Sequence, residues 1–293
     1  MNKSSHSASA SALALTLTLT LALFLSVSGC SIAQQSVSGY LRAGNDSIFY
    51  ETAGSGSVIV LIHDGLLPHN VWDDQFFLFS KSHRVIRYDR RGHGKSSPAT
   101  GSYTDLDDLA DLFTELKIDS ASLIGCSSGG ALAINFTLQY PQKVTSLVLV
   151  GAVVSGFSYT THFKSRGGHL PPGMTDPMET SIYYASEDPY SIYYENSDAR
   201  EKALKIVKKY PQRFSSFPRY VSQPVPAYRR LNEIRVPALI LIGEYDIPDV
   251  HAHSGVINAG IRNSTRVIIP NSGHLIPLEQ PVLFNEAVMS FLD

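Results

Sequence analysis

The sequence predicts an α/β fold: a mostly parallel sheet with helices on both faces, interrupted by a helical cap insertion. Three observations lead to it. Continuous apolar runs of strand length alternate with segments of helical spacing along most of the chain. Strand, helix and strand in succession call for crossover connections, so the strands run parallel. The alternation lapses only between about 154 and 231 and then resumes, as it does when a segment is inserted into one domain.

Residues 1–29 stand apart from this pattern. Lys3 is followed by a weakly polar lead and then by "ALALTLTLTLALFLSVSGC", the layout of a secretory signal and not of a folded element. Its end, Val27-Ser28-Gly29-Cys30, resembles the lipobox of bacterial lipoproteins, in which the cysteine is acylated and becomes the first mature residue. That resemblance implies an exported protein anchored in the cell envelope through lipid on Cys30. Because Ser31 is not the aspartate linked to inner-membrane retention, it also implies the periplasmic side of the outer membrane. Acyl chains contribute about 0.8 kcal/mol per buried methylene, so such an anchor holds without a spanning helix. Two alternatives are ordinary cleavage after Ala33 and an uncleaved helix. Residues 30–38, small and polar, read as a tether, and the domain as 39–293. Cys30 and Cys126 are the two cysteines, so lipid on the first leaves no intramolecular disulfide.

With 293 residues, 43% hydrophobic and 17% charged, the chain has the size to bury the core of one large domain, which excludes a disordered chain. A formal net charge of -2 and the lack of a long basic run exclude a nucleic-acid binder, leaving small molecules as the expected partners.

From Gly39 the elements follow in order. "YLRAG" and "SIFYET" alternate as a strand pair, "SVIVLIH" is a strand, "VWDDQFFLFSKS" a helix and "RVIRYD" a strand. "YTDLDDLADLFTELKI" has helical spacing, "SASLIGC" is a buried strand, "GGALAINFTLQY" is a helix stopped by Pro141, and "KVTSLVLVGA" is a strand. Beyond the insertion come the strand "PALILIG", a helix near "VHAHSGVINAGI", the strand "TRVIIP" and the helix "PVLFNEAVMSFL".

Gly125-Cys126-Ser127-Ser128-Gly129 fits G-x-S-x-G with Ser127 at its centre, where a buried strand meets a helix. A strand-to-helix reversal strains its central residue and needs small neighbours, which Gly129 and Gly130 supply. Ser127 is the candidate nucleophile, and the backbone N–H of Ser128 can face a developing oxyanion. A serine hydroxyl needs a base, and the base an orienting carboxylate. In an open parallel sheet such groups gather beyond the carboxyl ends of strands. Asp246 follows "PALILIG" and His274 follows "TRVIIP", giving acid and base, with Glu244 and Asp249 as alternative orienters.

The segments "VIVLIHDG" with Trp72, "RVIRYDRRGHGKSS", "GCSSGG", "PALILIGEYD" and "NSGHLIPLEQP" together resemble the α/β-hydrolase family, in its cap-bearing serine esterase, lactonase and perhydrolase-like branch. The order Ser127, Asp246, His274 is that family's order. The resemblance implies a second oxyanion N–H at Gly65, with one departure: Asp64 stands where the family has glycine after the histidine. It further implies that His63 closes its loop through hydrogen bonds and that Asp89, Arg90, Arg91 and His93 brace theirs. No cofactor and no metal is expected, since His251 and His253 lack a third ligand and read as a solvated surface. Cys126, closing a buried strand off the motif centre, reads as core filler.

The insertion should roof the site. It carries "SIYY" at Ser181–Tyr184 and again at Ser191–Tyr194, with Phe163 and Tyr190, and then the helix-like "AREKALKIVKKY". These features lead to a serine hydrolase acting on a small carboxylic ester, lactone or related acyl compound. The alternatives are a non-catalytic lipoprotein that keeps the fold as a receptor or scaffold, and a proline-aminopeptidase-like enzyme using the cap acids Glu179, Glu187 and Asp188.

Overall fold

The computed structural model describes residues 35–159, 171–186, 194–210 and 226–293. The signal segment, Cys30 and the start of the tether lie outside the described residues, as do Phe163, Glu187, Asp188, Tyr190 and other parts of the insertion.

Among the described residues the strands form one eight-stranded sheet, and the sequence order predicts their direction well. β1 (Val37–Ala43) and β2 (Asp46–Ala53) make an antiparallel pair, and β1 begins inside the stretch read as tether. β3 (Val58–Ile62), β4 (Arg84–Tyr88), β5 (Ala121–Cys126), β6 (Val144–Val150), β7 (Ala238–Gly243) and β8 (Ser264–Ile269) follow, each paired in parallel with its neighbours among this set. Spatial order is β1-β2-β4-β3-β5-β6-β7-β8, with β2 antiparallel to β4. The order reverses at β3, which pairs with β4 on one side and β5 on the other. Loops leaving β3 and β5 therefore diverge to opposite faces and open a crevice at their carboxyl ends.

Helices cover both faces, and the period-two pattern shows which strand residues meet which. Val60, Ile62, Leu123, Leu147 and Leu149 join one core cluster with α2 (Asp105–Glu115), α3 (Ser128–Gln139) and α6 (Pro248–Gly260). Ile59, Leu61, Ile124, Val148 and Val150 join the other, with α1 (Asp73–Phe79), α7 (Ile276–Glu279) and α8 (Pro281–Leu292). Leu123, fully buried, illustrates what this packing is worth, since cutting such a leucine to alanine costs about 2–5 kcal/mol. The helix ends are encoded locally: Thr104 caps α2 by accepting from the Asp107 N–H at 3.0 Å, and Pro248 and Pro281 stand in the first turns of α6 and α8.

Within the insertion, α4 (Pro177–Ser186) packs against α5 (Ser197–Lys209). α5 buries Ala199, Ala203 and Val207 at four-residue intervals in the second cluster and leaves Lys202, Lys205 and Lys208 in solvent. Among the described residues, no helix is long and apolar enough to cross a membrane.

Candidate active site

The turn from β5 into α3 has no slack. Ser127 takes φ 53° and ψ -116°, a left-handed conformation that a non-glycine residue holds only where the surroundings enforce it, at about 1–3 kcal/mol. Its N–H donates to the Val150 carbonyl at 2.8 Å and its carbonyl accepts from Gly130 N–H at 3.0 Å, fixing both sides of the turn. A Cβ on Gly129 would stand 2.4 Å from the His63 carbonyl oxygen, and one on Gly125 would stand 2.5 Å from that of Gly129. Only glycine lets α3 begin this close to β3 and β5.

Asp246 and His274 leave β7 and β8 at the same sheet edge. His274 Nδ1 lies 2.9 Å from Asp246 Oδ2 and 3.1 Å from Oδ1, and the carboxylate side chain is fully buried. Asp246 Oδ1 also accepts from the Ile247 N–H at 2.8 Å, which fixes the carboxylate plane. Gly151, the residue after β6, completes the pocket at φ +50°. A Cβ there would come within 3.1 Å of His274 Nδ1 and 3.2 Å of Asp246 Oδ2. Because Val150 bonds to Ser127 and Gly151 backs onto the histidine–aspartate pair, the end of β6 brings all three residues to one place. Of the alternative orienters, Glu244 instead accepts from the Asn271 N–H at 3.1 Å, and Asp249 is buried on α6.

The loop after β3 approaches α3 from the other side. A Cβ on Gly65 would lie 3.4 Å from Ser128 Oγ, so the two backbones expected to supply N–H donors face each other. Asp64, the departure in this loop, has a structural use: its Oδ1 accepts from the N–H groups of Leu66 and Leu67, the latter at 2.9 Å, turning the chain back after Gly65. His63 is held neutral by burial and by the nearby His93 and Arg90, which keep it well below the usual histidine range. Its Nδ1 meets the Asp64 carbonyl at 2.6 Å and its Nε2 accepts from the Arg90 N–H at 2.9 Å, the loop-closing part expected of it. Asp89 accepts from His69 N–H at 2.8 Å and Lys95 N–H at 2.8 Å, and Arg91 pairs with Asp108 and Asp46.

Glu279 was missed in the sequence, although it stands in "NSGHLIPLEQP" five residues past His274. It is 4% exposed and accepts from Gly273 N–H at 2.7 Å and Leu275 N–H at 3.0 Å, the amides on either side of His274. A third bond, from Tyr194 N–H at 2.8 Å, ties the chain just before α5 to the same carboxylate. Burial pushes its carboxyl up to about 7 against the opposing pull of these donors and of His274. An acid in a helix following a histidine loop is the signal that points to it. The Tyr194 ring makes a second tie, stacking on Tyr245 beside Asp246 with centroids 3.5 Å apart and planes 9° from parallel.

Two further residues test the sequence reading. Cys126 is fully buried and burial pushes its thiol up, which suits a core residue and not a thiolate. His253 corrects the expectation of a solvated surface, being 1% exposed. α6 lays it under the chain leaving β6, where Nδ1 accepts from Val154 N–H at 3.0 Å and the ring sits 5.0 Å from Phe157 and 4.8 Å from Tyr159. His251 Nδ1 faces Arg266 Nη2 at 3.2 Å.

The fold has known relatives. The chain is 30% identical over 270 residues to a 2-hydroxy-6-oxononadienedioate/2-hydroxy-6-oxononatrienedioate hydrolase of Paraburkholderia phymatum, covering 84% of this chain and 90% of that protein. It is 24% identical over 269 residues to carboxylesterase YbfK of Bacillus subtilis, covering 86% of this chain and 84% of the other. The solved structure of Est816, described as an N-acyl homoserine lactone degrading enzyme, has the same fold at a TM-score of 0.70 and 24% identity, over 86% of this chain and 100% of that one. A model of the alpha/beta hydrolase family matches residues 59–287, from β3 into α8, a span that holds Ser127, Asp246 and His274. The chain belongs to the alpha/beta hydrolase family.

Proposed function

We propose that this esterase-like hydrolase cleaves a small carboxylic ester, lactone or related acyl compound through an acyl-enzyme on Ser127. One observation carries the reading: a serine strained at φ 53° shares a sheet edge with a histidine whose Nδ1 is held by a buried carboxylate. With the Nδ1 proton committed to Asp246, His274 presents an unprotonated Nε2. Nε2 takes the Ser127 Oγ proton as Oγ attacks the acyl carbon, and the N–H groups of Ser128 and Gly65 receive the oxyanion. The imidazolium, stabilised by Asp246, returns the proton to the departing alkoxide oxygen. Water then gives a proton to Nε2 as it attacks the acyl carbon, and when the acyl–Oγ bond breaks Nε2 returns that proton to Oγ, releasing the acid and restoring Ser127 and neutral His274. Relatives named as carboxylesterase and as lactone-degrading support the acyl class.

The insertion serves as the lid over this site, with Tyr183 and Tyr184 of α4 among its half-buried aromatics. Such a roof favours a pocket of the few hundred Å³ typical of small-molecule sites, and so short-chain or aryl esters and lactones over long acyl chains. The 30% identity to the Paraburkholderia hydrolase favours a second substrate class, compounds like the 2-hydroxy-6-oxononadienedioate and 2-hydroxy-6-oxononatrienedioate named for that protein. The N-terminal segment works as a signal whose Cys30 carries lipid and holds the domain at the periplasmic face of the outer membrane, a reading supported by Val27-Ser28-Gly29-Cys30.

The deciding experiment is labelling with a fluorophosphonate followed by a substrate panel. The parent should be labelled and Ser127→Ala should not. Short aryl esters, lactones and a 2-hydroxy-6-oxo dienoate then separate the substrate classes, and efficiency that climbs steadily to long acyl chains would refute the small pocket. Mass spectrometry of the mature N-terminus tests the anchor, since an unmodified peptide starting at Gln34 contradicts it.

A further inference from the structure

We propose that Arg90 is a positioning residue that sets the spacing of the oxyanion donors, by bridging the loop after β3 to Ser128 at the start of α3. The proposal rests on the acyl-enzyme reading of Ser127. Arg90 follows β4, the neighbour of β3 on the side away from β5. Its main-chain N–H donates to His63 Nε2 at 2.9 Å, which anchors the loop carrying Gly65. From the same residue, Nη1 donates to Ser128 Oγ at 2.8 Å. The guanidinium is in turn held by Asp105 in the first turn of α2, through Nε at 3.1 Å and through Nη2. One residue thus grips both walls of the pocket from a third element.

The adjacent arginine shows that this is more than loop bracing. Arg91 gives its guanidinium to Asp108 and Asp46 and to neither wall. Arg90 uses one carboxylate as a fixed base and spends the remaining arm on Ser128, a fork geometry that lysine cannot reproduce. Ser128 Oγ lies 3.4 Å from where a Cβ of Gly65 would stand, so the hydroxyl that Arg90 holds is in van der Waals reach of the loop after β3. With its lone pair taking the Arg90 N–H, the hydroxyl is fixed in place. Donors held at the right separation cost no reorganisation when charge develops on the substrate oxygen, so the effect belongs to the transition state and not to substrate binding.

The test is a double-mutant cycle on Arg90→Gln and Ser128→Ala, assayed with a short aryl ester and with a trifluoromethyl ketone as transition-state mimic. Each single variant should lower kcat by roughly 10-fold to 100-fold, somewhat less than the loss of an oxyanion donor itself, with KM within about 3-fold. Because both remove one contact, the double variant should be no slower than the slower single. Binding of the ketone should weaken in parallel with kcat/KM, and Arg90→Lys, whose single amine cannot hold Asp105 and Ser128 together, should be nearly as slow as Arg90→Gln. Ser128→Ala leaves the Arg90–Asp105 pair intact, so it carries the test if Arg90→Gln folds poorly. Parental kcat in Ser128→Ala, effects that multiply in the double variant, or a loss confined to KM would each overturn the proposal. Failure of the fluorophosphonate to label the parent at Ser127 refutes the acyl-enzyme reading instead, and this inference with it.

Discussion

Asp246→Asn should be among the most damaging single changes that leave the fold intact, and the reason lies in one backbone amide. Ile247 N–H donates to Asp246 Oδ1 at 2.8 Å, so an asparagine must place its carbonyl oxygen there and turn its NH2 toward His274 Nδ1. Facing a donor, Nδ1 must give up its proton, and the histidine is left with the proton on Nε2, where it cannot accept from Ser127. The charge is lost as well. A unit charge 2.9 Å from the imidazolium is worth about 6 kcal/mol at an effective dielectric of about 20, and the amide dipole restores only a fraction of this. The expected loss in kcat is about 10³-fold to 10⁴-fold, with KM little changed, because the imidazolium exists only along the reaction. Steady-state hydrolysis of a short aryl ester near neutral pH measures it, with thermal unfolding as the control for the fold. Asp246→Ala removes the charge but imposes no tautomer, so it should be no slower than the asparagine variant. An asparagine variant within about tenfold of the parent would show that His274 does not depend on this carboxylate, and that the proposed base or orienter is wrong.

Ser127→Gly should raise stability by about 1 kcal/mol while abolishing turnover, because glycine relieves the φ 53° strain; a lower melting temperature than the parent contradicts stored strain at the turn. Gly151→Ala should cut kcat by at least about tenfold, since its Cβ would press on His274 Nδ1 at 3.1 Å from a backbone at φ +50°; unaltered turnover refutes that contact. Glu279, raised to about 7 by burial, binds its proton more tightly in the folded chain than in the unfolded one, where glutamate titrates near ~4.3. Its contribution to stability is therefore full below about 4.3 and is lost as pH rises through 7, a span worth about 4 kcal/mol. Glu279→Gln removes this titration, so unfolding measured at pH ~5 and ~8 should shift the stability gap in favour of the glutamine variant at the higher pH. A gap independent of pH contradicts the raised carboxyl.

How much of the site could be read in advance varies residue by residue. Ser127 was visible because its signal is local: a β-rich run, a glycine cluster and a helix within a dozen residues leave one place for a sharp turn. Asp246 and His274 were visible only as residues following strands, and their pairing at 2.9 Å depends on β7 and β8 lying side by side. Glu279 was invisible, because accepting from the amides around His274 and from Tyr194, 85 residues earlier in the chain, is a property of the folded chain alone. His253 was misjudged for a related reason. Two histidines spaced by one residue on a helix point in different directions, and only the chain leaving β6 decides that one of them is covered.

The sequence by itself determined the strand and helix alternation and the strained turn, since period, glycine placement and run length are written in neighbouring residues. Tertiary structure alone decided the reversal of strand order at β3, the fit of Gly151 against the histidine–aspartate pair, and the reach of Arg90 to both His63 and Ser128. Those contacts join residues tens of positions apart, and their distances are set by sheet register and helix packing, which no local pattern encodes.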